Sequence, residues 1–285
     1  MVAAAASFAV STCSYQQGWT AADTIARLVA RGYAEFEVMV FPGHLWPEDA
    51  DAAARRALRR RVDECGARIV TLSIANNDIN VASAYPAVRS VSLGVLSDIV
   101  RLAGDLGVPG VVIGPGKPNP LFPLPRAQLT GYLHAALDLL GGLARRAGTR
   151  LLLENMPVGF LSRTPDLAAA LDHYGDDRIG FVYDIANGHY VAEDIGPALR
   201  RVASRLTLVH VSDTNQKVYR HDPVGLGDVD FAAIAPVLRE IGHRARPALE
   251  IISTDPDRDI DASAARLADA GWARAVGASA GALSA

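Results

Sequence analysis

Four short apolar segments in the second half of the chain each end in a side chain that can bind a divalent metal ion. These side chains are Glu154 after Leu151–Leu153, Asp184 after Phe181–Tyr183, His210 after Leu206–Val209, and Glu250 after Pro247–Leu249. A carboxylate at the end of a buried strand is costly unless it pairs with a cation, so four such positions predict one shared metal site. The alternative is that each is an unrelated strand-end residue satisfied by a salt bridge.

The donor types narrow the choice of metal. Two glutamates, one aspartate and one histidine offer hard oxygen donors together with a single imidazole. Such a set suits Mn2+, Mg2+ or Co2+ and permits Zn2+. We therefore expect one bound divalent metal ion, with Mn2+ as the first choice.

The spacing of the four candidates indicates which elements hold them. They follow one another at intervals of 30, 26 and 40 residues, and each interval suits one strand and one helix. Apolar runs and helical spacings of three and four alternate eight times along the chain. This pattern predicts an α/β fold, a single (β/α)8 TIM barrel with the metal site at the C-terminal ends of the strands.

The predicted strands lie near residues 7–11, 36–40, 69–74, 110–113, 151–153, 180–183, 206–209 and 248–252. The predicted helices lie near residues 22–30, 48–65, 87–106, 126–147, 166–173, 195–204, 231–241 and 262–273. We assign residues 1–275 to the barrel as one domain, because such barrels commonly reach about 250 residues or more. The low-complexity residues 276–285 predict a flexible C-terminal tail.

Composition and charge exclude several classes of protein. Half of the residues are hydrophobic and 21% are charged, which suits a large core and argues against disorder. With a net charge of -3 and no long Lys/Arg run, the chain offers no basic face, so we expect no nucleic-acid partner. No segment approaches the roughly 18 to 20 apolar residues of a membrane span, and two cysteines make no disulfide framework. We therefore expect a cytoplasmic protein with no membrane partner.

The segments around the four candidates carry a family resemblance. They read Glu154-Asn155, Asp184-Ile185-Ala186-Asn187-Gly188-His189, His210-Val211-Ser212-Asp213, and Arg220-His221-Asp222-Pro223-Val224-Gly225-Leu226-Gly227-Asp228. They resemble the xylose isomerase-like TIM barrels, the sugar phosphate isomerase/epimerase superfamily that also contains the ketose 3-epimerases and the endonuclease IV-type enzymes. The architecture is similar over roughly residues 7–270, and the specific motifs lie between Leu151 and Ile251.

The resemblance implies a function as well as a fold. It makes Glu154, Asp184, His210 and Glu250 the metal ligands, since every residue type matches. It also makes Glu154 and Glu250 the catalytic acid/base pair on opposite faces of a sugar, acting through a metal-stabilised enediolate. The expected activity is a divalent-metal-dependent isomerase or epimerase of carbohydrate metabolism, acting on a sugar or a sugar-like polyol or ketone.

Five residues are candidates for substrate binding. Arg220 matches the usual substrate-binding arginine of the family, although it could also be a solvated loop charge. Many epimerases of the family carry histidine where this chain has Asn187, so the resemblance implies an altered contact to a substrate hydroxyl. His44 and Asn76 follow predicted strands at the barrel mouth, where each could meet a substrate hydroxyl. His189 lies beyond its strand end and is either a further contact or a packing histidine.

Other functions stay open at this stage. A metal-dependent lyase similar to the 3-dehydroshikimate dehydratases, or one that cleaves C-glycosides, would remove a proton in the same way on the same scaffold. A binding protein without turnover is a third reading. Abasic-site DNA cleavage needs further histidines, which are missing from the strand ends Ile74–Asn76 and Ile113–Pro115. The expected partner is a small carbohydrate-like molecule, and the sequence leaves a homo-oligomer open.

Overall fold

Eight parallel strands close into a barrel in chain order, which confirms the predicted (β/α)8 architecture. The structure is a computed structural model that describes residues 2–75 and 78–274. The strands are β1 (Ala9–Ser11), β2 (Glu35–Met39), β3 (Arg68–Ser73), β4 (Gly110–Ile113), β5 (Arg150–Glu154), β6 (Gly180–Asp184), β7 (Leu206–Val211) and β8 (Ala248–Leu249). The barrel closes where β8 pairs with β1, with Ala248 beside Ala9.

Helices connect the strands and cover the barrel. They are α1 (Val2–Ala5), α2 (Ala21–Val29), α3 (Ala52–Glu64), α4 (Pro86–Leu106), α5 (Arg126–Ala147), α6 (Thr164–Tyr174), α7 (Ile185–Tyr190), α8 (Ile195–Val202), α9 (Phe231–Glu240) and α10 (Pro256–Asp269). The sequence does not predict α1 and α7, because so few residues cannot display a period of 3.6. Helix α10 begins six residues before its predicted start at Ala262, with Pro256 in its first turn followed by the acidic Asp257 and Asp259.

Within the two described ranges, no helix has the length and hydrophobicity that crossing a membrane requires. The predicted tail, residues 276–285, lies outside the described residues.

The buried apolar side chains form two clusters. The larger one lies between the strands and the helices and includes Phe36, Leu72, Leu102 and Trp272. The smaller one is a layer of six buried side chains from six strands: Ala9, Val112, Leu152, Val182, Leu208 and Ala248. Side chains two positions apart on a strand share a face, so the residues two positions beyond this layer on the last four strands point to the same side. Those residues are Glu154, Asp184, His210 and Glu250, which the fold therefore brings together above the inner layer.

Candidate metal centre

The four predicted metal ligands converge at the C-terminal ends of their strands. One ligand atom from each of Glu154, Asp184, His210 and Glu250 lies within 4.8 Å of all the others. Asp184 and His210 are fully buried, and the carboxylate side chains of Glu154 and Glu250 are 7% and 15% exposed. The cluster is therefore largely withdrawn from solvent, yet two of its carboxylates still reach the cavity above it.

The imidazole of His210 faces the cluster with one nitrogen and the barrel wall with the other. Its Nδ1 atom lies 3.2 Å from Glu154 Oε1, 3.2 Å from Glu250 Oε2 and 3.8 Å from Asp184 Oδ2. Its Nε2 atom lies 3.0 Å from Oε2 of Glu37, a fully buried residue of β2. A proton on Nε2 would be donated to Glu37, which leaves Nδ1 as the atom available to a metal ion.

Glu37 is a candidate positioning residue that the sequence does not single out. Thr71 Oγ1 of β3 donates a hydrogen bond of 2.9 Å to the same Glu37 oxygen that faces His210. Carboxylates that accept from a ligating histidine fix its ring orientation and raise its basicity. The available signal was a charged residue inside the otherwise apolar segment Phe36–Val38, where an inward-facing glutamate needs a partner.

Local hydrogen bonds leave oxygen atoms of the cluster free to bind a cation. Asp184 caps helix α7, since its Oδ1 accepts from the backbone N–H of Asn187 at 2.6 Å. Its other oxygen, Oδ2, is buried without a hydrogen-bond partner, and so is Oε2 of Glu250. A buried carboxylate oxygen without a partner is costly, and a divalent cation would satisfy both atoms. The residues present therefore fit a hard divalent ion.

Asn155 holds the two strands that carry Glu154 and Asp184 in register. Its side-chain Nδ2 donates to the backbone oxygen of Asp184 at 3.0 Å, and its Oδ1 accepts from the backbone N–H of Asp184 at 2.7 Å. This paired contact adds a side-chain link between the ends of β5 and β6. The asparagine that follows the first ligand in the sequence therefore positions the second ligand.

The electrostatics of the cluster show a shortage of positive charge. Burial raises the pKa of Glu154 to about 7, and burial together with the charge of Glu250 raises the pKa of Asp184 well above its usual range. Burial would also raise the pKa of Glu250, but the positive charge of His210 lowers it to about 2. Burial opposes a charge on His210, yet Glu37 and Glu250 raise its pKa well above 6.5. One imidazolium does not neutralise three carboxylates, and a divalent ion would offset two of those three negative charges.

A cavity of about 470 Å³ opens above the cluster at the barrel mouth. Its lining includes two of the metal candidates, Glu154 and Glu250, and two of the substrate candidates, Asn187 and Arg220. The remaining lining residues are Cys13, Gln16, Met39, Ser73, Ile74, Ala75, Met156, Tyr219, His221, Asp222 and Ile252. Polar groups converge at the base and apolar side chains form part of the walls, which is the usual character of a small-molecule site.

The substrate candidates Asn187 and Arg220 differ in their surroundings. Asn187 is buried, and its Nδ2 donates to the backbone oxygen of Asn155 at 2.9 Å and approaches Glu154 Oε1 at 3.4 Å. The Arg220 side chain is 61% exposed, and its Nη1 lies 3.9 Å from Asp222 Oδ1. Asn187 is therefore a fixed part of the site, whereas the charge of Arg220 faces the open side of the cavity.

His44 and His189 are not among the described residues that line the cavity. The segment after β2 turns back on itself through a bridge between Phe41 and Leu45, and His44 is buried within it. Its Nε2 lies 2.9 Å from Thr12 Oγ1 and its Nδ1 lies 2.6 Å from the backbone oxygen of Trp19.

His189 instead forms a hydrogen bond of 2.6 Å between its Nε2 and Oδ1 of Asp228. Asn76, the fifth substrate candidate, lies outside the described residues.

Tyr219 joins the site through geometry that no sequence pattern indicates. Its hydroxyl donates to Asn187 Oδ1 at 2.6 Å and lies 2.9 Å from Nε2 of His221. The other nitrogen of His221, Nδ1, lies 3.0 Å from Ser212 Oγ and 3.5 Å from Glu250 Oε2. Burial lowers the pKa of His221, so a neutral ring is favoured, and the Tyr219 hydroxyl, whose proton is donated to Asn187, would accept from Nε2 of that ring. A series of hydrogen bonds from Asn187 through Tyr219 to His221 thus connects the residue beside Glu154 with the residue beside Glu250.

Comparison with known proteins gives concordant results. A family model described as xylose isomerase-like TIM barrel matches residues 25–270. The L-ribulose 3-epimerase of Mesorhizobium japonicum is 26% identical over 227 residues, which cover 78% of this chain and 73% of that protein. The putative L-ribulose-5-phosphate 3-epimerase UlaE of Shigella dysenteriae is 24% identical over 266 residues, which cover 90% of this chain and 93% of that protein.

Solved structures share the fold over nearly the whole chain. A D-tagatose 3-epimerase-like protein superposes with a TM-score of 0.80 at 20% identity, covering 93% of this chain and 97% of the other. A structure of L-ribulose 3-epimerase superposes with a TM-score of 0.73 at 24% identity, covering 94% of this chain and 92% of the other.

Proposed function

Because the chain belongs to the xylose isomerase-like TIM barrel family, we propose that it is a divalent-metal-dependent epimerase or isomerase of a sugar or a sugar-like polyol or ketone. The observation that carries the proposal is the position of two glutamates, Glu154 and Glu250, which line the cavity and each lie 3.2 Å from His210 Nδ1. The relatives described as ribulose 3-epimerases support the choice of a carbohydrate ketone as substrate.

Glu154, Asp184, His210 and Glu250 would hold the ion, and the preponderance of oxygen donors favours Mn2+ over Zn2+. A bound divalent ion supplies Lewis-acid stabilisation of the negative charge that develops on a ketone oxygen when a neighbouring carbon loses its proton. Glu37 and Thr71 hold the imidazole in the orientation that such binding needs.

The two glutamates would do the proton transfers. One carboxylate removes the proton next to the carbonyl carbon, and the other returns a proton to the opposite face, which inverts one centre. If one carboxylate moves the proton between neighbouring carbons, the same site interconverts an aldose and a ketose. Asn187 and Tyr219 would hold substrate hydroxyls beside Glu154, and Arg220 would attract an oxygen-rich substrate to the open side.

The direct test is to replace each glutamate separately by glutamine. We expect Glu154→Gln and Glu250→Gln to fold and to lose about 10²- to 10⁴-fold in turnover, since each removes a group that transfers a proton. The measurement is deuterium incorporation from heavy water into a panel of ketoses and cyclic hydroxy-ketones, because exchange reports proton removal even without net conversion. A matched control is Glu240→Gln, an exposed glutamate that pairs with Arg200 on the outside of the barrel.

Retention of more than about a tenth of the wild-type exchange rate in both site variants would contradict the two-glutamate scheme. A product lighter by one water and with new conjugated absorbance would assign the metal-dependent lyase instead of the epimerase.

A further inference from the structure

A second cavity lies at the opposite end of the barrel, at the N-terminal ends of the strands. Its volume is about 320 Å³. Its lining comes from the first residue of β5, from residues 203–207 at the start of β7, and from residues 241–245 before β8. Arg150, Arg205, His243 and Arg244 line it, whereas none of the described lining residues is Asp or Glu.

Arg150 is built into the floor of the barrel. It is two positions before Leu152 of the inner apolar layer, so its side chain points into the barrel from below. Residue 180 is a glycine, which leaves space for the guanidinium of Arg150. A Cβ atom at this position would collide with Arg150 Nη2 and Thr207 Oγ1. The register between β6 and β7 shifts at Thr207, which therefore has no partner residue on β6. The hydroxyl of Thr207 accepts a hydrogen bond from Arg150 Nη2.

The polar atoms of this cavity are incompletely satisfied. Arg150 Nε is buried without a hydrogen-bond partner, and among the described residues no carboxylate forms an ion pair with Arg150. His243 is only 9% exposed, and its Nε2 is also buried without a partner. A half-buried guanidinium without an anion is costly, and two residues that line the same cavity each carry an unsatisfied nitrogen atom, which indicates a missing hydrogen-bond partner.

The other two arginines that line the cavity, Arg205 and Arg244, differ in whether a carboxylate balances their charge. Arg205 is paired with Asp177 at 2.9 Å and approaches Asp172 at 3.6 Å. Arg244 is exposed at the edge of the cavity and makes no ion pair within the part of the chain that the structure describes. The uncompensated charge therefore belongs to Arg150 inside and Arg244 at the rim, which suits a small anion held between them.

We propose that this N-terminal cavity binds a phosphate-type oxyanion, either inorganic phosphate or the phosphate group of a small metabolite. Arginine binds such oxygen atoms with charge-assisted hydrogen bonds, and a neutral imidazole can donate one further N–H. The inner apolar layer separates this site from the cavity at the mouth, so its ligand would be a different molecule from the sugar proposed to bind there.

Binding is tested by titrating full-length protein with sodium phosphate, and in parallel with glycerol 1-phosphate, against sodium chloride at equal ionic strength. We expect saturable calorimetric binding, and the tighter of the two ligands identifies whether the source is free phosphate or a phosphate ester. Binding should be the same with and without a metal chelator, and the ring-proton NMR signals of His243 should shift on addition of phosphate. Arg150→Gln and Arg244→Gln should each weaken binding by about 10- to 100-fold, as the loss of a charge-assisted hydrogen bond predicts.

Arg244 is exposed, so its replacement should not disturb folding, and Arg244→Gln still tests the proposal if Arg150→Gln fails to fold. Arg220→Gln at the barrel mouth is the matched control and should bind phosphate as the wild type does. The proposal is overturned if phosphate shows no saturable binding beyond chloride. It is also overturned if phosphate binding disappears in Arg220→Gln or on addition of chelator. Phosphate binding that is unchanged in Arg244→Gln, with no shift of the His243 signals, would overturn it as well.

Discussion

At the scale of single residues, the orientation of His210 depends on Glu37. The four ligand candidates are predictable from the sequence because each ends an apolar run, where a polar side chain stands out. Glu37 lies inside such a run, and nothing in its neighbours along the chain shows that β7 places His210 3.0 Å away. Contacts between residues separated by 173 positions depend on barrel closure, which a local pattern does not encode.

Replacing Glu37 by glutamine should weaken metal binding without removing any ligand. The amide can still accept a hydrogen bond, but it no longer provides the negative charge that polarises the imidazole, so we expect a loss of about 10- to 100-fold in metal affinity. Titration calorimetry of chelator-treated protein with Mn2+ measures this directly.

The control for this substitution is Glu35→Gln on the same strand. Glu35 pairs with Arg68 and Arg246 at the other end of β2, so its replacement should leave the affinity for Mn2+ unchanged. Equal affinities for Mn2+ in Glu37→Gln and the wild type would show that Glu37 has no influence on the metal site.

At the scale of elements, the segment of residues 212–230 after β7, here called the β7 loop, carries Tyr219, Arg220 and His221 to the cavity. Asp213 holds this loop together from within: its Oδ2 accepts from the backbone N–H of Gly225 at 2.7 Å, and its Oδ1 accepts from those of Thr214 and Val229. Strands and helices were predictable from their periodicity, but the position of Tyr219 depends on this network of loop contacts. The same reason explains His44, which contacts Thr12 and the backbone of Trp19 and is not among the described residues that line the cavity.

Gly227 is a position at which the β7 loop has no room for a side chain. A Cβ there would collide with the backbone oxygen of Thr214 and with Asp213 Oδ1. Gly227→Ala should therefore displace the loop and lower kcat/KM by about 10²-fold, since small misplacements of positioning groups have effects of this size. Steady-state kinetics of sugar turnover, together with circular dichroism to verify the fold, provides the measurement.

Gly131→Ala is the matched control, because a Cβ at Gly131 in helix α5 meets no atom within 4 Å. It should keep full activity and raise the free energy of unfolding by about 0.5–1 kcal/mol. Wild-type kcat/KM in Gly227→Ala would show that the β7 loop does not position the substrate.

At the scale of the whole molecule, the barrel interior is divided by charge along a single strand. On β5, Glu154 belongs to the acidic mouth, Leu152 to the apolar layer and Arg150 to the basic floor. Positions two apart share a face, so one strand of five residues delivers a metal ligand, a core residue and an anion-binding candidate to three successive levels. The sequence pattern predicted Glu154 at the strand end and the apolar run before it, whereas the basic floor becomes visible only when Gly180 is seen opposite Arg150.

The pH dependence of stability should contain a contribution from His243. Burial lowers its pKa to about 4, whereas the unfolded chain titrates near 6.5. Below pH 6.5 the unfolded chain binds a proton that the folded chain rejects, so stability is complete above this pH and falls as the pH drops toward 4. The pKa difference corresponds to about 3 kcal/mol.

Urea unfolding in chloride buffer at about pH 7 and about pH 4.5 measures this contribution. His243→Gln should lose less stability between the two values than the wild type, whereas the exposed His173→Gln should behave as the wild type does. If His243→Gln and the wild type lose the same stability between the two pH values, His243 does not contribute to the pH dependence.

Metal binding should stabilise the entire fold, because the ligands come from four of the eight strands and converge only when the barrel is closed. The unfolded chain keeps no such arrangement, so Mn2+ binds mainly the folded state and adds about 2.7 kcal/mol at a concentration 100-fold above its Kd. For a protein of this length, that corresponds to a rise in Tm of about 5 °C or more. Calorimetric scans of chelator-treated protein with increasing Mn2+ should show this rise.

The same scans separate the metal site from any general effect of divalent ions. His210→Ala should lose the Mn2+-dependent rise in Tm because it removes the central ligand, and Asp184→Ala should do the same because it removes a buried unpartnered oxygen. Glu240→Gln removes an equal charge from the outer surface and should keep the full rise. A similar rise in all three variants would mean that Mn2+ binds elsewhere, and the barrel mouth would then need another explanation for its buried carboxylates.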